Sequence, residues 1–232
     1  MHTTARLRLA ATSITALLGA AALAAPAPSN AALAIISPGD QVDYVTANAN
    51  TQFCTIGYVY SGKDLHTYAV TAGHCRASST SGYARDKRSG ITGNFVRSVV
   101  EPPRSGGADY TLIDFGMNSV PSVFMADNHT PTTDDHPQPQ IGQSVCRMGV
   151  SSGQHCGQIA AAQGEDQYLT IGMPASIPGD SGGPVWTSTP HGYAEIIGIW
   201  LGEKATAARE EYGRFASLGN GLRILEAQSL TS

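Results

Sequence analysis

Ser181 lies in the run Pro178-Gly179-Asp180-Ser181-Gly182-Gly183-Pro184. Glycine and proline at this density interrupt both helix and strand. Such a loop can hold one hydroxyl at a tight bend and turn several backbone N–H groups toward one point, as acyl transfer through a serine nucleophile and an oxyanion hole requires. A serine hydroxyl is barely ionised at neutral pH and needs a base within hydrogen-bond reach. Imidazole suits that role, and a carboxylate usually fixes its tautomer. His74 stands where the run Leu65–Thr71 meets Ala72 and Gly73, directly before Cys75. Asp109 follows a glycine pair and opens the apolar run Tyr110-Thr111-Leu112-Ile113, where a carboxylate needs donors. Asp114 competes with it, but five positions along a strand it faces the opposite way. Separately these are a surface turn, a strand-end histidine and a turn-capping aspartate; their combination makes the case.

The rest of the chain must position these groups. With 26 glycines and 13 prolines in 232 residues and no repeat, many short strands joined by turns are favoured over a helical bundle. The net charge of −4 comes without a basic stripe or an acidic tail, so no nucleic-acid partner is expected. Arg6 and Arg8 precede an apolar run to about Ala25, followed by small residues. Residues 1–31 therefore read as a secretory signal peptide with cleavage between 24 and 34, with an uncleaved N-terminal anchor as the rival reading that the short, alanine-rich run disfavours. Four cysteines fit export. They can pair in three ways, and proximity favours Cys54 with Cys75 and Cys146 with Cys156. The alternative, a zinc site, is discounted because no Cys-x-x-Cys or His-x-x-x-His spacing occurs. No metal or cofactor is called for.

Strand-like runs begin at Phe53–Tyr60 and return over Leu65–Thr71, predicting a hairpin. Residues 35–50 read as a polar lead-in and Arg76–Arg88 as a polar loop. Further strands are expected within Gly90–Val100 and over Ala108–Phe115, giving a first β unit over 42–116. Prolines at 121, 131, 137 and 139 mark 117–140 as a connector. A second β unit over 141–214 has strands near 144–149, 157–162, 167–173, 183–187 and 194–201. Leu218, Leu222, Ile224 and Leu225 suit one amphipathic helix over 215–230.

Thr71-Ala72-Gly73-His74-Cys75, Asp109-Tyr110-Thr111-Leu112-Ile113 and Gly179-Asp180-Ser181-Gly182-Gly183-Pro184 occur in the order His, Asp, Ser. Together they resemble the trypsin/chymotrypsin superfamily of serine proteases, most closely its short secreted bacterial (streptogrisin-like) members, over about residues 52–202. The resemblance implies an all-β fold of two perpendicular six-stranded Greek-key barrels with a C-terminal α-helix. It implies Ser181 as nucleophile, His74 as general base and then acid, Asp109 as orienter, and the N–H groups of Gly179 and Ser181 as the oxyanion hole. The Cys54–Cys75 pairing also matches a disulfide of that family. The activity implied is that of a secreted, extracellular or cell-envelope endopeptidase acting as a monomer on protein or peptide substrates, without membrane insertion.

The chain departs from the family at two places. Where trypsin-like members carry an aspartate at the floor of the specificity pocket, six residues before the nucleophile, this chain has Ala175. Ala175, Ser176 and Ile177 on one wall, with Trp200, Leu201 and Gly202 on the other, predict a neutral pocket for small or medium apolar side chains. Glu203 lies just beyond and leaves basic specificity as a minor reading. The N-terminal amine that pairs with the aspartate before the nucleophile in animal members has only a faint counterpart at Ile35-Ile36-Ser37-Pro38, so Asp180 lacks an evident partner. A catalytically silent, partner-binding relative and an esterase with the same triad are the alternatives. Gly179-x-Ser181-x-Gly183 also fits the α/β-hydrolase elbow, but there the serine comes first in the chain, and here it comes last.

Overall fold

The computed structural model describes residues 33–46, 51–76, 82–102, 105–124, 131–132, 136–205 and 211–226. The expected signal peptide lies outside them. Short apolar runs punctuated by turns form sixteen strands among these residues, followed by one helix. Nine strands precede residue 122: β1 (Ala34–Ile36), β2 (Gln41–Val45), β3 (Thr51–Thr55), β4 (Tyr58–Ser61), β5 (Thr67–Ala72), β6 (Tyr83–Asp86), β7 (Thr92–Val100), β8 (Asp109–Asp114) and β9 (Ser119–Pro121). Seven follow: β10 (Pro131–Thr132), β11 (Ser144–Gly149), β12 (Gly153–Gln163), β13 (Gln167–Ile171), β14 (Pro184–Ser188), β15 (Ala194–Ala205) and β16 (Glu211–Ser217). Helix α1 (Leu218–Glu226) comes last.

The first sheet has the order β3-β2-β6-β7-β8-β5-β4. Its two edges are halves of one run, Thr51–Ser61, interrupted at Ile56 and Gly57. The sheet therefore curls until the same segment serves both ends. At the interruption, Ile56 N–H donates to Asp40 O and Gly57 N–H to Val70 O. The second sheet runs β10-β15-β14-β11-β12-β13-β16, and β15 also pairs with β16, closing a six-stranded barrel with β10 outside it. The fold is thus the all-β, two-barrel, chymotrypsin-like arrangement with a C-terminal helix.

Several elements differ from the sequence reading for identifiable reasons. The lead-in carries β1 and β2. β2 buries Val42 and Tyr44 and also the charged Asp43, whose carboxylate is paired 2.9 Å from Arg85. The polar loop contains β6, whose buried positions are Ala84 and an aspartate, Asp86. The connector contributes β9, which pairs parallel with β1, and β10. Phe215 lies within β16 rather than opening a helix; α1 begins at Leu218 and buries Leu218, Gly221 and Leu225 on one face.

Two apolar clusters result. One, including Val145, Ile159, Val185, Ile197, Trp200 and Phe215, belongs to the second barrel. The larger, including Val70, Tyr110, Ile113, Trp186, Ile199 and Leu201, draws on both barrels and α1. Each such side chain withdrawn from water contributes about 1.5–3 kcal/mol before the entropy cost. Disulfides join Cys54 in β3 to Cys75, and Cys146 to Cys156 across directly opposed positions of β11 and β12. No helix among the described residues is long and apolar enough to cross a membrane.

Candidate active site

Strand register brings His74 and Asp109 together. Ala72, the last residue of β5, pairs with Tyr110 of β8, so Asp109 stands beside the short 3-10 turn Gly73–Cys75 that carries His74. One carboxylate oxygen accepts the His74 backbone N–H at 2.8 Å, and the other lies 2.8 Å from Nδ1 of the ring. An ionised carboxylate can only accept, so Nδ1 is the donor and Nε2 becomes the acceptor end of the ring. The histidine is about one-third exposed and the aspartate 9% exposed. This is the geometry of an imidazole held in one tautomer and one orientation. Asp114, the competing carboxylate, lies at the far end of β8 with both oxygens within 3.0 Å of His66 Nδ1. That hydrogen bond raises the His66 pKa.

Ser181 is set against the same turn by its main chain. Thr55 N–H donates to Ser181 O at 2.8 Å, and Cys75 Sγ lies 3.8 Å from that oxygen. Ser181 is partly exposed, and its hydroxyl makes no hydrogen bond to the described residues. Around it, Asp180 N–H donates to Ile177 O, Gly182 N–H to Trp200 O and Gly183 N–H to Asp180 O. The N–H groups of Gly179 and Ser181 have no acceptor among the described residues. The loop therefore leaves two alternate donors free, as an oxyanion hole requires.

Glycine is needed at two points of this loop. Gly179 has φ +103°, and a Cβ there would strike the Phe53 ring and Ser151. Gly182 has φ +88°, and a Cβ would run into Thr71 and the Thr55 carbonyl. Thr55 is fully buried and locks the loop from the first barrel. Its hydroxyl donates to Gly179 O at 2.7 Å and accepts from Val150 N–H at 2.9 Å.

Asp180 does have a partner. It forms an ion pair with Arg147 of β11 at 3.2 Å, and both side chains are completely buried. Its carboxylate also accepts the backbone N–H groups of Ser151, Ser152 and Ile177. Burial alone would raise its pKa, but the Ser152 hydroxyl, these N–H groups and the Arg147 charge together hold it below the usual carboxylate value. Burial in turn lowers the Arg147 pKa, against the opposing pull of Asp180.

No family model matches the chain. The uncharacterised protein Rv1815 of Mycobacterium tuberculosis is 30% identical over 187 residues, spanning 75% of this chain and 77% of that protein. Serine protease 2 of Streptomyces fradiae is 25% identical over 146 residues, 59% of this chain and 81% of that protein. Among solved structures, protease A of Thermobifida fusca superposes with a TM-score of 0.60 at 24% identity, covering 83% of this chain and 96% of that one. The chain shares the two-barrel fold of these bacterial serine proteases.

Within that fold, the residues expected to form the specificity pocket are placed unequally. Ala175 is exposed and Gly202 partly exposed, but Trp200 and Leu201 are 1% and 4% exposed. Their side chains point into the two apolar clusters on opposite sides of β15. Trp200 Nε1 donates to Ser176 Oγ at 3.2 Å, and Ser176 N–H donates to Glu203. The Arg147 guanidinium lies 4.6 Å over the Trp200 ring. Arg147 was invisible as a site residue in the sequence, since one arginine beside a cysteine carries no pattern. Its only signal was the need of a buried Asp180 for a cation.

Proposed function

We propose that this chain is a secreted serine endopeptidase that cleaves peptide bonds through an acyl-enzyme. The observation that carries this reading is the double hydrogen bond from His74 to Asp109, which turns Nε2 away from the carboxylate as a proton acceptor. Ser181 Oγ attacks the substrate carbonyl as Nε2 takes its proton. The N–H groups of Gly179 and Ser181 stabilise the tetrahedral oxyanion. His74 then delivers the proton to the leaving amine, and a water activated by the same ring releases the acyl group. Asp180, neutralised by Arg147, holds the loop without becoming part of the proton path. The two disulfides support an oxidising, extracellular setting.

The test is hydrolysis of a mixed peptide library by the purified mature protein and by Ser181→Ala, His74→Ala and Asp109→Asn. Cleavage by the wild type and a loss of about 10⁴-fold or more in kcat for each variant is the expected result. Cleavage that survives Ser181→Ala would overturn the assignment.

A further inference from the structure

The two walls on either side of the Ser181 loop are joined directly to each other. One wall is Ala175-Ser176-Ile177, leading into the loop. The other is Trp200–Glu203 of β15, whose Trp200 exchanges backbone hydrogen bonds with Gly182 and Gly183. A side chain on the acyl side of the scissile bond would have to enter between them. Ser176 is bridged to the opposite wall twice. Its hydroxyl accepts from Trp200 Nε1 at 3.2 Å, and its N–H donates to the Glu203 carboxylate. Behind this bridge the space is filled. The far edge of the indole reaches β16 at Gly213, where an added Cβ would collide with both the indole and Thr170 Oγ1. Arg147, completely buried, stacks 4.6 Å over the same ring.

Outside the bridge the surface is open. A Cβ built on Gly202 would meet nothing within 4 Å, and Ala175 is exposed. A substrate backbone can therefore approach β15 and place a hydrogen or methyl group over Gly202 and Ala175. Anything longer meets the Trp200–Ser176–Glu203 bridge.

We infer that Trp200 and Glu203 close the specificity pocket and restrict the acyl-side residue of the substrate to glycine or alanine. This rests on Ser181 being the nucleophile and narrows the substrate class beyond the neutral, small-to-medium pocket expected from Ala175. Closed shape discriminates where charge does not: each added methylene in a fitted pocket typically changes kcat/KM about 10- to 200-fold.

The experiment uses the mature protein and a matched peptide series differing only in the acyl-side residue: Gly, Ala, Val, Leu, Phe, Lys and Glu. Fluorophosphonate labelling of Ser181 is run in parallel, because that small probe needs no side-chain pocket. The expected result is labelling together with cleavage after Gly and Ala at least tenfold above all others. Labelling with dominant cleavage after Leu, Phe, Lys or Glu overturns this inference and leaves the nucleophile standing. No labelling of folded protein overturns the nucleophile instead. Trp200→Val should open the cavity and raise cleavage after Leu and Phe at least tenfold relative to Ala. Because Trp200 is a core residue, the exposed Glu203→Ala serves as a second variant. It keeps the indole and should relax Ala-over-Val discrimination several-fold; unchanged discrimination would show that Glu203 is not part of the closure.

Discussion

At Gly179 the backbone sits at φ +103°, a conformation that costs an L-residue with a side chain roughly 1–2 kcal/mol. Any Cβ there also meets Phe53. Gly179→Ala should therefore rotate the peptide whose N–H would face the oxyanion in the proposed mechanism, lowering kcat by about 10²–10³-fold with a smaller effect on KM. Steady-state kinetics on a single peptide would check this; a rise in KM alone would mean that the N–H serves binding rather than the transition state. Arg147 and Asp180 offer a second test among single residues. Replacing Arg147 by Met leaves a buried carboxylate unpaired, and removing one partner of such a pair costs about 3–5 kcal/mol. Denaturant unfolding should register that loss, and Ser181 should lose reactivity toward a fluorophosphonate while Arg147→Lys retains part of both. The sequence made Ser181, His74 and Asp109 legible because each lies in a short run of unusual local composition. Arg147 and Thr55 could not be read in this way, because their roles depend on partners 33 and 124 residues away.

Strands β5 and β8 carry a carboxylate–histidine pair at each end of their ladder: Asp109 with His74, and Asp114 with His66. The second pair ties the approach to β5 to the end of β8, and it is sensitive to pH. The hydrogen bond from Asp114 raises the His66 pKa in the folded chain above its unfolded value. The stabilisation is thus fully present below the unfolded value of about 6.5 and is lost as pH rises through the raised folded value. Melting temperatures of wild type and His66→Gln should differ most at mildly acidic pH and converge as pH rises through the raised folded value; a gap independent of pH would rule out this pair as its source. Strands with an apolar run, such as β8, or alternating burial, such as β11, were readable from the sequence. Strand β6 was not, because buried Asp86 stands on the same face as Ala84, and β2 was not, because it buries a charged residue, Asp43, at its centre. The same limit hid β16, where Gly213 makes room for the Trp200 ring and Arg214 adds a charge.

Across the whole molecule, two curled sheets meet along a seam crossed by Thr55, Gly57 and the Ser181 loop. The Cys54–Cys75 bridge lies on that seam and spans 21 residues, a loop length for which the constraint on the unfolded chain is worth about 3 kcal/mol. Replacing both cysteines with alanine should lower the melting temperature and weaken activity more than the same change at Cys146 and Cys156, since only the first bridge touches the His74 turn. Equal loss of activity at matched stability would argue against that special role. The central claim is that this seam activates one serine. Its most direct measurement is fluorophosphonate labelling of the mature protein with the adduct mapped by mass spectrometry. The account predicts a single adduct on Ser181, abolished in Ser181→Ala and strongly slowed in His74→Ala. A folded wild type that stays unlabelled, or an adduct elsewhere, would contradict it.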